Sequence, residues 1–146
     1  MSQLYQPSPG TLFFSLIANE TIKISELKNE FEHWGIWSEA HFEYNPSFDY
    51  YSKEMGQDLR RWFWIGETVP RDKLVEAKIW AQELEEKYSR NGKRSLNCDP
   101  GLVCLEQMIL ATGKSYAHRV HIKSGVYAEL TYIFKASGFF LKKVNS

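Results

Sequence analysis

Taken as a string of apolar and polar positions, the chain divides into short units. Residues 11–18 (TLFFSLIA) form an almost unbroken apolar run, the mark of a buried strand. Ile24, Leu27, Phe31 and Trp34 then recur at helical spacing, with Asn19 or Thr21 placed to cap that helix and Gly35 to stop it. Residues 36–44 alternate. Ile36, Ser38, Ala40, Phe42 and Tyr44 share one face, and Trp37, Glu39, His41 and Glu43 share the other, which predicts a strand. Residues 45–58 read as a polar, aromatic loop, and loops of that length often carry function. Residues 59–67 (LRRWFWIGE) predict another strand. Thr68-Val69-Pro70 is expected to open a long helix with Leu74, Ala77, Ala81, Leu84 and Tyr88 as its apolar stripe and Asn91-Gly92 as its end.

Beyond residues 93–97, a short extended piece, Pro100-Gly101 predicts a tight turn and residues 102–111 an apolar helix. Residues 116–122 and 126–135 predict a hairpin around the three-residue loop Lys123-Ser124-Gly125. In that register Arg119 faces Glu129, and His121 faces Tyr127. Ser137-Gly138 then turns into an edge strand at 139–144. The predicted fold class is α+β: a ferredoxin-like β-α-β-β-α-β core with a mainly antiparallel sheet, helices on one face, and a C-terminal helix and β-meander as extension. Residues 1–10 read as a flexible leader and 11–146 as one domain.

Composition narrows the class. The chain is 43% hydrophobic and 15% aromatic, enough for a packed core. No apolar run approaches the roughly 18 residues of a membrane span, and no basic-then-apolar leader opens the chain. A cytoplasmic protein with no membrane partner is the expectation. Cys98 and Cys104 lack the spacing of a zinc pair and read as free, buried thiols. Net charge is zero, so no global field draws the chain to nucleic acid or membrane. Charge is uneven, however: residues 1–86 hold 8 Lys and Arg against 15 Asp and Glu, and residues 87–146 hold 10 against 3.

Candidate chemistry gathers in three places. Asp49 and Glu54 flank Tyr50 and Tyr51. Asp49 suits a helix N-cap, and the pair also suits a divalent cation or acid–base work. In Asn97-Cys98-Asp99-Pro100-Gly101, Asp99 fits either a structural turn or a ligand or catalytic carboxylate, with Asn97 orienting the same ligand. Arg119 and Glu129 read as a cross-strand salt bridge, and His118 as a satisfied core histidine; the same groups with Lys114 can instead bind phosphate or carboxylate.

Several segments resemble an uncharacterised prokaryotic family, domain of unknown function 4416: FDYYSKEMG (48–56), LRRWF (59–63), NCDPG (97–101), LATGKSYAHRV (110–120) and GVYAELTYIF (125–134). The likeness spans about residues 11–140 in the family's order. Some members carry a GTP-binding label. The residues argue against a P-loop here. Gly113-Lys114-Ser115 looks like its end, but the position requiring the first glycine is Met108, and no strand-loop-helix surrounds it. No HExxH, GxSxG or GxGxxG is present.

The leading expectation joins these groups into one mixed pocket for a phosphate-bearing small molecule or nucleotide. Catalytic candidates are Asp49, Glu54, Asp99 and His118. Ligand-binding candidates are Tyr51, Asn97, Lys114, Arg119 and Glu129. A Mg²⁺ ion would be held by Asp49, Glu54 and Asp99 for phosphoryl hydrolysis or transfer. The alternative is a non-enzymatic RNA- or protein-binding module that stacks bases on Trp62 and Trp64 beside Arg60 and Arg61.

Overall fold

The computed structural model describes residues 2–43, 50–56, 58–135 and 140–143. Its centre is β1 (Gly10–Ala18), whose alternate residues are buried on both faces. Leu12, Phe14 and Leu16 enter the main core, while Ile17 packs with Met55 and Leu59 on the opposite face. Asn19 turns the chain by accepting from the Thr21 N–H (3.0 Å) and hydroxyl. It does not cap the helix, because α1 (Ile24–Glu30) has Lys23 as N-cap with no side-chain bond. A single 3-10 turn, Glu32–Trp34, follows, and Gly35 closes it at φ 61°.

The remaining strands are β2 (Ser38–Glu43), β3 (Arg60–Val69), β4 (Leu96–Val103), β5 (Gln107–Thr112), β6 (Arg119–Lys123), β7 (Val126–Lys135) and β8 (Phe140–Lys143). They form one sheet in the order β2-β3-β1-β4-β5-β7-β6, antiparallel at each pairing. β6 pairs with the first half of β7, and β8 pairs with the second half along the same edge. The α+β class with an antiparallel sheet therefore holds. α1 and α3 (Lys73–Lys87) cover one face, where Phe14, Phe31, Trp34, Trp64 and Trp80 meet edge to face or tilted, about 5–6 Å apart. The short helix α2 (Tyr50–Met55) lies on the other face over Ile17. Among the described residues no helix is long and apolar enough to cross a membrane.

Five expectations need correction. β3 runs on through Val69, so Thr68 and Val69 are strand and the helix waits until Lys73. The Asn97–Gly101 segment is not a turn: it lies inside β4, paired with β1 from Leu96 to Val103. Residues 102–111 are not a helix. They are the end of β4, a tight turn closed by the Cys104 N–H to the Gln107 carbonyl (2.8 Å), and β5. The Val126 hairpin loop has two residues, Ser124 (φ 54°) and Gly125 (φ 78°), with the register shift falling between His121 and Lys123. The shorter loop and the irregularity offset each other, so Arg119 does face Glu129 and His121 does face Tyr127. Trp62 and Trp64 are buried under the helices and present no face for stacking a base.

A proline is tolerated within β4 because of where it points. The Cys98 N–H is directed away from β1, to a side chain of α3. Pro100, two residues on, has its missing N–H on that same side, where β5 has not begun to pair. Pairing starts at Gly101 opposite Leu110. Pro100 thus ends the β4–β5 ladder and leaves Leu96–Asp99 with one edge open.

Candidate functional site

That open edge is the wall of a cavity of about 630 Å³. From the face of α1 and α3 come Lys78, Gln82 and Glu85, one turn apart along α3. From the opposite face α2 brings Tyr51 and Glu54. β4 and the residues before it contribute Arg94, Asn97 and Asp99, and the far side is Thr112, Gly113, Lys114 and Arg119. A gap between two strands, bridged from both sheet faces, explains why so many polar side chains converge beside an apolar core.

Glu85 takes the place of the missing strand. Its Oε2 accepts the Cys98 N–H at 2.8 Å, a bond that a β5 carbonyl would make in a continuous sheet. Arg94 ties the rest together. Nε and Nη2 donate to the two oxygens of Glu54 (2.6 and 2.8 Å), a fork-on-fork pair. Nη1 donates to Asn97 Oδ1 (2.8 Å) and lies 3.7 Å from Glu85 Oε2. Asn97 Nδ2 donates to Asp99 Oδ2 (2.9 Å), and the Lys78 ammonium is 3.5 Å from Asp99 Oδ1. The Asn97 amide has one workable orientation, since guanidinium only donates and carboxylate only accepts. On the far side Arg119 donates to Glu129 Oε1 (3.2 Å) and to the Lys114 carbonyl (3.2 Å), and its guanidinium sits 4.4 Å over the Tyr116 ring.

The carboxylates are tuned in opposite directions. The Arg94 fork holds Glu54 below the ordinary carboxylate range, with a smaller pull from Lys114. Burial raises Glu85, against the lowering effects of the Cys98 N–H, Lys78 and Arg94. Arg94 is raised by Glu54 and stays charged. Burial also pushes the Cys98 thiol well up, which leaves it a packing group rather than a nucleophile.

Of the residues singled out from the sequence, Tyr51, Glu54, Asn97, Asp99, Lys114 and Arg119 line this one cavity. His118 and Glu129 do not. The His118 ring nitrogen and Arg119 share Glu129 Oε1, so both stand behind the wall and hold Arg119 in place. Asp49 lies outside the described residues, which leaves the proposed metal trio visible only at Glu54 and Asp99. Those two already face Arg94, Asn97 and Lys78, and among the described residues no three His, Cys, Asp or Glu side chains group to hold a metal ion.

Five lining residues escaped the sequence reading: Lys78, Gln82, Glu85, Arg94 and Thr112. The first three look like the solvated side of an amphipathic helix, yet Lys78 is 8% exposed and the Glu85 side chain 13%. Lys78 directly follows Ala77 and stands one helical turn from both Leu74 and Ala81, at the edge of the apolar stripe, and that spacing is the one sequence hint of its burial. Cys104 and Cys98 are both free and buried, as expected.

Fold and site together define a small α+β domain with a polar cavity at an opening in its sheet. The family model described as Domain of unknown function (DUF4416) matches residues 8–144, and the chain belongs to that family. No curated protein and no solved structure matches the chain.

Proposed function

We propose that the cavity binds a small phosphate-bearing molecule. The observation that carries this reading is the charge of its lining: four cations, Lys78, Arg94, Lys114 and Arg119, against three carboxylates, of which Glu85 is shifted toward its neutral form. Arg94, Lys78 and Arg119 have carboxylate partners. Lys114 forms no ion pair among the described residues, and its backbone N–H donates to the Thr112 hydroxyl on the cavity wall beside Gly113. An unpaired cation facing a half-enclosed polar cavity is suited to an anion with several acceptor oxygens. A nucleotide is one such ligand, and phosphoryl hydrolysis or transfer is the activity to assay on whichever ligand binds.

Two finer readings accompany it. The order β4-β1-β3-β2 of the first four strands, with α1 and α3 on one face, supports taking them as a ferredoxin-like core. Two free, buried thiols that are not paired support a reducing, cytoplasmic setting.

The test is a thermal-shift and calorimetric screen of inorganic phosphate, sugar phosphates and nucleotides, each with and without Mg²⁺. A ligand selective for the folded state raises the midpoint. Lys114→Ala is expected to weaken the hit by about tenfold without lowering the unbound midpoint. A screen with no phosphorylated hit, or a hit indifferent to Lys114→Ala, overturns the reading.

A further inference from the structure

A second, smaller hollow of about 330 Å³ shares the Glu54–Arg94 pair with the first. Among the described residues its lining includes Arg90, Lys93 and Arg94 as cations and Glu54 as the one acid, whose two oxygens are already taken by Arg94. Asn19 and Thr21 on its rim are engaged with each other, and the Asn19 amide donates to the Met55 carbonyl (3.0 Å). What remains available are the two cations of the Arg90–Lys93 turn.

That turn is built to hold them side by side. Arg90 and Lys93 bond reciprocally through the backbone, N–H to carbonyl at 2.8 and 2.9 Å, around Asn91 (φ 53°) and Gly92 (φ 73°). This is the geometry of a two-residue hairpin loop, and it sets residues 90 and 93 directly opposite each other. Like charges in directly opposed positions destabilise an antiparallel pair. Neither side chain forms an ion pair among the described residues to relieve that repulsion. A turn that sets two exposed cations, neither in an ion pair among the described residues, side by side at the mouth of a hollow is understandable if an anion joins them.

We propose that Arg90 and Lys93 form a second anion subsite, so that the ligand of the site carries two phosphates, one in each hollow, astride the Glu54–Arg94 pair. This rests on the phosphate reading of the larger cavity and adds the ligand's class: a bisphosphorylated small molecule. In it, one phosphate meets Lys114 and the other meets Arg90 and Lys93, while the Glu54–Arg94 pair shared by both hollows fixes their separation.

The probes are alkanediol bisphosphates of increasing chain length, each compared by calorimetry with its monophosphate. At one chain length the bisphosphate is expected to bind about tenfold tighter than the monophosphate. The double variant Arg90→Ala/Lys93→Ala should erase that advantage, bringing the bisphosphate to the affinity of its monophosphate, and keep or raise the unbound midpoint as the repulsion is removed. Monophosphate binding with no bisphosphate advantage at any length overturns the second subsite alone. So does an advantage that survives the double variant. Failure of every monophosphate and bisphosphate overturns the reading of the larger cavity, and this one with it.

Discussion

The two ends of β4 follow different rules. From Gly101 to Val103 the strand is paired on both edges, to β1 and to β5. From Leu96 to Asp99 it is paired to β1 alone, and its other edge is met by Glu85, Lys78 and, through Asn97, Arg94. One end is specified by shape, because backbone and rings approach too closely to admit another atom. The other is specified by charge and hydrogen bonding across a cavity. An exposed strand edge must be satisfied somehow, and here it is satisfied by side chains that leave room for a ligand.

The largest expected effect tests the shape side. A Cβ on Gly101 would stand 2.7 Å from the Ile109 carbonyl oxygen and 2.3 Å from the tip of the Phe13 ring. The ring can swing, but the β5 backbone cannot without loosening the ladder. Gly101→Ala should cost about 3 kcal/mol in urea unfolding. At Gly113, on the cavity wall, a Cβ meets only the end of the Gln82 side chain at 3.3 Å. Gly113→Ala should change stability by less than about 0.5 kcal/mol. Equal losses at the two glycines would remove the distinction drawn between the two ends.

Next in size is Arg94→Met, which keeps an apolar stem and deletes the guanidinium. Glu54 then loses its fork, Asn97 its donor and Glu85 a nearby cation. Because both Glu54 and Arg94 are partly in solvent, we expect a loss of about 2 kcal/mol rather than that of a buried pair. The denaturant midpoint should fall with the slope unchanged. A variant as stable as the parent would mean that water supports this edge as well as Arg94 does.

The same contrast explains what could be read from the sequence. β1, α1, β3 and the β6–β7 register follow from local periodicity, and the polar residues interrupting apolar segments at Asn97, Asp99, Lys114 and Arg119 stood out for that reason. β4 did not stand out as a strand. Pro-Gly signals a turn whenever its neighbours are unknown, and here the neighbour that permits it is an absence of β5 pairing, a feature decided by residues distant in sequence. The turn at Leu105-Glu106 contains neither glycine nor proline, so an apolar stretch that is really two strands resembled a helix. Glu85 and Lys78 were hidden for a related reason: a charged residue on a helix looks solvated until the strand it reaches is known.

The smallest effect is the most discriminating, because it asks for opposite signs from two carboxylates in one cavity. Glu85 is raised above its ordinary 4.5 by burial. Between that value and its folded pKa the native state holds more protons than the unfolded chain, so stability declines as pH rises through this window. Glu54 is lowered by Arg94. Its contribution is present above 4.5 and is lost as pH falls through its folded pKa, on the acid side. Glu85→Gln retains an amide oxygen to accept the Cys98 N–H, so it removes the ionisation and leaves the edge bond in place. Relative to the parent, Glu85→Gln should therefore gain stability as pH climbs above 4.5. Glu54→Gln should be less stable than the parent above 4.5, with the gap closing under acid. Added salt should shrink the Glu54 effect, since that pair is partly exposed, and leave the Glu85 effect largely intact, since its cause is burial. Urea unfolding of the three proteins across pH reads both slopes at once. Slopes of the same sign would show that the open edge does not separate a charge-paired side, held by Arg94, from a desolvated side, held by Glu85.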